Sequence, residues 1–162
     1  MNSIFQVHTT RIPAVLAAVF LGAACVWLYA PVREFEFVAY DDNSYVYENP
    51  AVTGGLTGQS FVWAWTRSHS ANWHPVTWLS HMIDWELWGP DAGMHHVVNV
   101  VLHVLNGLLL FLCLRALTAR PWLSFWVAAF FLLHPLRVQS VAWVAQRKEL
   151  LATLFMLLAL RA

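Results

Sequence analysis

The chain has 162 residues, 59% of them hydrophobic and 11% charged, with a mean hydropathy of +0.55. Nine Lys and Arg balance nine Asp and Glu, so the concentrated basic surface that nucleic acid requires is absent. The apolar content excludes a disordered chain and a water-soluble domain of ordinary composition. Cys25 and Cys113 both lie inside apolar runs and imply no disulfide framework.

The first predicted element is an uncharged run over residues 12–32, bounded by Arg11 and Arg33. A bilayer span takes about 20 apolar residues, so this run is expected to be a transmembrane helix. A cleaved signal peptide is the competing reading. The run continues seven residues beyond Cys25, which speaks for the span.

Residues 33–94 form a long first loop holding eight of the nine acidic residues and six of the ten Trp. A loop of this length without structure of its own is unusual. Its Trp content suggests packing on a membrane surface, where the ring is buried and the N–H stays wet. Short interfacial helices are predicted over 60–66 and 75–88, and turns at Asn49-Pro50 and at 53–55. Asp41 and Asp42 are the first candidate site. Two adjacent carboxylates can bind a divalent metal, or one can serve as general base. Taken alone, the pair also fits a solvated turn, or a helix N-cap at Asp42 or Asn43.

A second span is predicted over 96–117. His95, Asn99, His103 and Asn106 fall on one stripe of it, within about 80° of one another, and His96 adjoins them. Such a stripe faces a bundle interior or a cavity, where it either builds a site or hydrogen-bonds other helices. With few helices in the chain, the stripe is expected to lack partners. A haem held by His96 and His103 is disfavoured, because both ligands come from one helix.

A third run, 122–136, is short for a span and lies between Pro121 and Pro135, the latter marking an end or a kink. A fourth, 149–162, is too short to cross and reads as a truncated span. The chain is therefore expected to be the N-terminal part of a longer polytopic protein. The connection between these runs carries His134, Arg137, Arg147, Lys148 and Glu149 on the membrane side of the first loop. Three cations there suit a phosphate; snorkelling at helix ends is the plainer reading. Their side runs against the positive-inside tendency, which hints at function.

Several motifs then share one pattern: Asp41-Asp42-Asn43-Ser44-Tyr45-Val46 with Asn49-Pro50, Gly55-Leu56-Thr57, and the segment 72–84 that opens Asn72-Trp73-His74-Pro75. His95-His96-Val97-Val98-Asn99 with His103, His134-Pro135 and Arg147-Lys148-Glu149 complete it. In order and spacing, over about 40–160, these resemble the N-terminal membrane region of tetratricopeptide-repeat O-mannosyltransferase-like proteins, polytopic glycosyltransferases of the GT-C fold. The resemblance implies an all-α, polytopic transmembrane GT-C-like architecture with a long Trp-rich extracytoplasmic first loop. Residues 1–162 would be one part of that membrane domain, with further spans and the repeats beyond it. It implies a bacterial inner membrane, or an endoplasmic-reticulum membrane in a eukaryote.

The resemblance also implies a polyprenyl-phosphate sugar as donor, with mannose the expected sugar, and a Ser or Thr hydroxyl of a protein as acceptor. The partners would be that lipid-linked donor, the protein acceptor and membrane lipid. By the same resemblance Asp41 and Asp42 are catalytic, and the residue chemistry is compatible with Arg137, Arg147, Lys148 and His134 binding the donor phosphate. His74, His95, His96, Asn99, His103 and Glu149 support them. No cofactor is required; a divalent metal, if bound, falls to Asp41 and Asp42. Gln139 and Gln146 stand where the family usually or often has Glu, and Arg137 where His is common. A non-catalytic membrane anchor or scaffold is therefore the second expectation. A transporter or metal-binding membrane protein, suggested by the eight His, is the third.

Overall fold

The structure is a computed structural model and describes residues 13–162. Arg11 and Ile12, at the start of the first predicted span, lie outside the described residues. Helix α1 (Ala14–Tyr29) runs into a 3-10 turn (Ala30–Glu34) begun by Pro31. Its buried residues, Ala17, Leu21, Cys25 and Tyr29, recur every four positions and face the other helices. Val15, Leu16, Val19, Phe20 and Trp27 stay exposed on the opposite side, as a lipid-facing surface requires.

The first loop is folded. A π-helical turn (Asn43–Tyr47) leads to the single turn α2 (Pro50–Thr53), where Asn49 caps the N-terminus by accepting from the Ala51 N–H. Thr57 and Ser60 form a reciprocal capping box that starts α3 (Gly58–Thr66). Helix α4 (Pro75–Trp88) opens on a proline, whose missing N–H is no loss in a first turn. Tyr45, Val46, Val52, Ala64, Trp78 and Met82 make a small core with Val144 and Ala145 from far along the chain. Trp78 is fully buried there, while Trp65 and Trp73 remain exposed. Tryptophan in this loop is thus partly core and partly surface.

Helix α5 (Ala92–Thr118) has 27 residues, about 40 Å of rise. It begins four residues before the predicted start, because Asp91 caps it by accepting from the Met94 N–H. It ends at Ala119, whose φ of 54° breaks the helix. Helix α6 (Pro121–Leu133) packs on α5 so closely that a Cβ on Gly107 would collide with the Leu132 side chain. At His134-Pro135 the chain breaks into a 3-10 turn (Pro135–Arg137), then α7 (Val138–Ala142), a bend of 53°. The third run therefore ends at the break expected at Pro135, and α7 lies beyond it. A second 3-10 turn (Val144–Gln146) leads into α8 (Arg147–Arg161).

Among the described residues, α1 with its 3-10 extension and α5 are long and apolar enough to cross a membrane; counting the bent pair as one span gives three. At 15 residues, α8 falls below that length. No strand occurs among the described residues, only an isolated bridge between His69 and Asn72.

Candidate functional site

The two adjacent carboxylates have different environments. Asp42 is fully buried. One of its oxygens accepts from the Val38 N–H at 2.9 Å and the other from the Ala145 N–H at 2.8 Å. Although Asp42 stands at the N-cap position of the π turn, its side chain makes no cap bond there. It pins the first loop to the 3-10 turn that precedes α8. Burial pushes its carboxyl above the usual carboxylate range, and the two backbone N–H bonds partly offset this. Asp41 is only half-buried, and its carboxylate accepts no hydrogen bond among the described residues.

Around Asp41 stand groups from three segments. Tyr45, on the same turn, accepts from the Asn72 side-chain amide at 2.7 Å, and its hydroxyl feels the charge of Asp41. Lys148 lies over the Tyr45 ring with Nζ 5.2 Å from its centroid. His74, stacked near Trp78, has its imidazole pKa lowered by burial and by the charge of Lys148. Asp41, Tyr45, His74 and Lys148 thus share one neighbourhood, held together by the two bonds of Asp42.

Beneath this surface lies a buried polar centre. Arg147 is fully enclosed. Its Nη1 forms an ion pair with Asp84, its Nε donates to Asn99 at 2.8 Å and its Nη2 to the His95 carbonyl at 2.9 Å. A longer bond reaches the Ser80 carbonyl at 3.4 Å. The guanidinium is therefore directed at protein acceptors on every side. Next to Asp84 sit His81 and His95, both fully buried. Burial, with Arg147 and His95 adding to it, lowers the pKa of His81 well below the usual histidine range.

Each residue of the polar stripe of α5 finds at least one partner, contrary to the expectation that the stripe would lack them. His95 Nε2 meets the Gly89 carbonyl at 3.0 Å and His96 Nε2 the Glu36 carbonyl at 3.3 Å. Asn99 donates to the Trp143 carbonyl, His103 meets the Leu132 carbonyl and Asn106 donates to the Leu150 carbonyl. The Gly89, Leu132 and Trp143 carbonyls lie at helix ends or breaks, where backbone acceptors are otherwise orphaned, while the Leu150 carbonyl belongs to the first turn of α8. The stripe works as hydrogen-bonding glue. His96 and His103, each bonded to a carbonyl, offer no facing pair for a haem.

The predicted phosphate ligands occupy separate environments. Arg137 lies over the Phe131 ring at 4.3 Å, and Phe131 stacks on His103. That is one to two turns further along α5 than Asn99 and His95, where Arg147 sits, a difference of about 6–12 Å in rise. The Nδ1 of His134 accepts from the Leu136 N–H, and its ring packs on Phe130 at 4.5 Å. Glu149 is exposed and accepts from the Ser140 hydroxyl at 2.6 Å. An apolar cleft of about 300 Å³ opens between α1 and the bend, lined by Tyr29, Val32, Phe35, His134, Pro135 and Val138.

Sequence reasoning missed the part played by Asp84 and His81. Their spacing of three along one helix puts both on one face, and this was the available signal. Their partners come from α5 and α8, which no local pattern could supply.

The chain is 32% identical over 158 residues to protein O-mannosyl-transferase TMTC1 of Mus musculus, covering 91% of this chain and 16% of that protein. It is 30% identical over 156 residues to TMTC1 of Homo sapiens, with 91% and 18% covered. It is 32% identical over 127 residues to protein O-mannosyl-transferase Tmtc2 of Drosophila melanogaster, with 74% and 14% covered. The chain therefore spans about a sixth of the length of these curated relatives. No family model matches it. No solved structure matches it either.

Proposed function

We propose that this homologue of the TMTC protein O-mannosyl-transferases contributes the first part of a GT-C-like, multi-pass membrane glycosyltransferase. The enzyme moves mannose from a polyprenyl-phosphate donor to a Ser or Thr hydroxyl of a protein. The first loop faces away from the cytoplasm, and further spans and tetratricopeptide repeats complete the protein.

One observation carries this reading: Asp42 ties the Asp41 turn to the segment that bears Lys148, and Lys148 lies over the ring of Tyr45 on that turn. Transfer needs a base for the acceptor hydroxyl and positive charge for the departing phosphate. Asp41 takes the hydroxyl proton as the oxygen attacks the anomeric carbon. The bond from that carbon to the phosphate oxygen breaks, and the lipid phosphate leaves as an anion beside Lys148, with His74 next to it. Asp42 and Arg147 hold the framework, and the cleft between α1 and the bend suits the lipid's apolar chain.

The test uses membranes containing the full-length protein and a labelled polyprenyl-phosphate mannose. Asp41→Asn abolishes transfer with normal folding, and Lys148→Met raises KM for the donor more than it lowers kcat. Unchanged transfer in Asp41→Asn would refute the assignment. No transfer by the unaltered protein would favour the scaffold reading.

A further inference from the structure

We propose that His81, Asp84 and His95 form a divalent-metal site of the zinc class that clamps α4 to α5. One ligand atom from each lies within 4.8 Å of the other two, and all three side chains are buried. His81 and Asp84 stand one turn apart on α4, and His95 faces them from the first turns of α5.

Both imidazoles keep ring nitrogens unclaimed, while the Asp84 oxygen is shared with the Arg147 guanidinium. Neither ring nitrogen of His81 has a hydrogen-bond partner. His95 uses Nε2 toward the Gly89 carbonyl, which accepts, so the proton belongs on Nε2. That leaves the Nδ1 lone pair pointing at Asp84, with Nδ1 3.5 Å from a carboxylate oxygen. Arg147 already answers that oxygen, so the Nδ1 lone pair is what remains facing an anion with no donor of its own. Histidine ligands commonly give their second ring N–H to a backbone carbonyl, as His95 does here. Zinc bonds to imidazole nitrogen and carboxylate oxygen of about 2.1 Å put the edge of a tetrahedron near 3.4 Å. The His95–Asp84 separation already matches that edge, and His81 has only to close in.

Arg147 weakens such a site and does not forbid it. Its guanidinium pairs with Asp84, and the charge of Asp42 also acts on it. Two carboxylates against one guanidinium leave a formal charge of −1 with both His neutral. A divalent ion changes this to +1, no larger in magnitude. Two imidazoles and one carboxylate form the donor set of zinc, with a sealed water completing a fourth position. The proposal stands whether or not the protein transfers sugar.

The full chain, purified in detergent and stripped with EDTA, is loaded with Zn²⁺ or Co²⁺, desalted and assayed for metal. About one equivalent is expected, with the visible absorption of tetrahedral Co²⁺. His81→Gln and His95→Gln each reduce this at least tenfold, and Asp41→Asn leaves it unchanged. The unaltered chain decides the matter if a variant does not fold. Zn²⁺ at a hundredfold excess over its Kd raises the thermal midpoint by about 5–10 °C, and EDTA reverses it. No retained metal and no thermal shift would overturn the site, leaving a trapped water in its place. Metal lost with Asp41→Asn would also overturn it, by moving the ion to the first-loop carboxylates.

Discussion

Replacing Arg147 with Met tests whether this arginine serves the framework or the donor. The side chain is fully buried, ion-paired to Asp84 and bonded to Asn99 and to the His95 carbonyl. Removing one member of a buried ion pair strands the other charge and costs about 3–5 kcal/mol. For a chain of this size each kcal/mol lowers the thermal midpoint by about 2–4 °C, so a fall of about 6–20 °C is expected. Asp84→Leu alone is similarly costly, because it strands the guanidinium. The double variant Asp84→Leu with Arg147→Met removes both charges at once. It should lie well above the sum of the single losses, since apolar replacement of a whole buried pair is often neutral. The assay is thermal unfolding in detergent with EDTA present, so that no metal enters the comparison. Lys148→Met provides the contrast. It loses a partly exposed cation–π contact worth about 0.5–1 kcal/mol and shifts the midpoint by only a few degrees. A fall below about 3 °C for Arg147→Met, or strict additivity in the double variant, would refute the framework role.

Three other outcomes follow from the geometry. Burial raises the folded-state pKa of Asp42 above its unfolded value. The group therefore contributes stability that is fully present below about pH 3.9 and is lost as pH rises through the folded value. The midpoint of the unaltered chain minus that of Asp42→Asn should fall across that window; a flat or rising difference would contradict it. Asp91→Ala removes both the cap of α5 and a half-exposed bidentate pair with Arg33, and should cost about 1–2 kcal/mol by denaturant unfolding. Gly107→Ala should cost about 1–3 kcal/mol, because its new methyl group meets Leu132. Adding Leu132→Ala should then cost less than it does in the unaltered chain, and equal costs would deny the contact.

The long elements were legible because their signals are local. The apolar run of α1, the proline starts of α4 and α6 and the break at His134-Pro135 follow from composition and from proline's missing donor. The start of α5 was misjudged because hydropathy fades before the helix does. The cap at Asp91 sets that boundary, and a cap is a single residue in a polar stretch. The site was legible only as a set of residue types. Asp41 and Asp42 are adjacent in sequence and alternate in burial, which depends on Ala145 more than 100 positions away. The positive charge of Arg147 read as a phosphate ligand until Asp84 appeared opposite it. Sequence proximity to Lys148 concealed that the two side chains face different surroundings.

Asn99 shows why the irregular backbone and the buried charges form one device. Its amide N–H group donates to the Trp143 carbonyl, at the break before α8, and its amide oxygen accepts from Arg147, at the start of α8. Backbone away from regular helix is tolerated at membrane depth only where protein groups satisfy it. The break supplies an orphaned acceptor and Arg147 supplies donors, and one amide answers both. Asp42 repeats the arrangement from the other side by accepting from the Ala145 N–H within the same break. Two polar side chains, from α5 and from the first loop, thus converge on the segment 143–147. Lys148 follows that segment directly, so its position over the Tyr45 ring is fixed by bonds that Lys148 itself does not make.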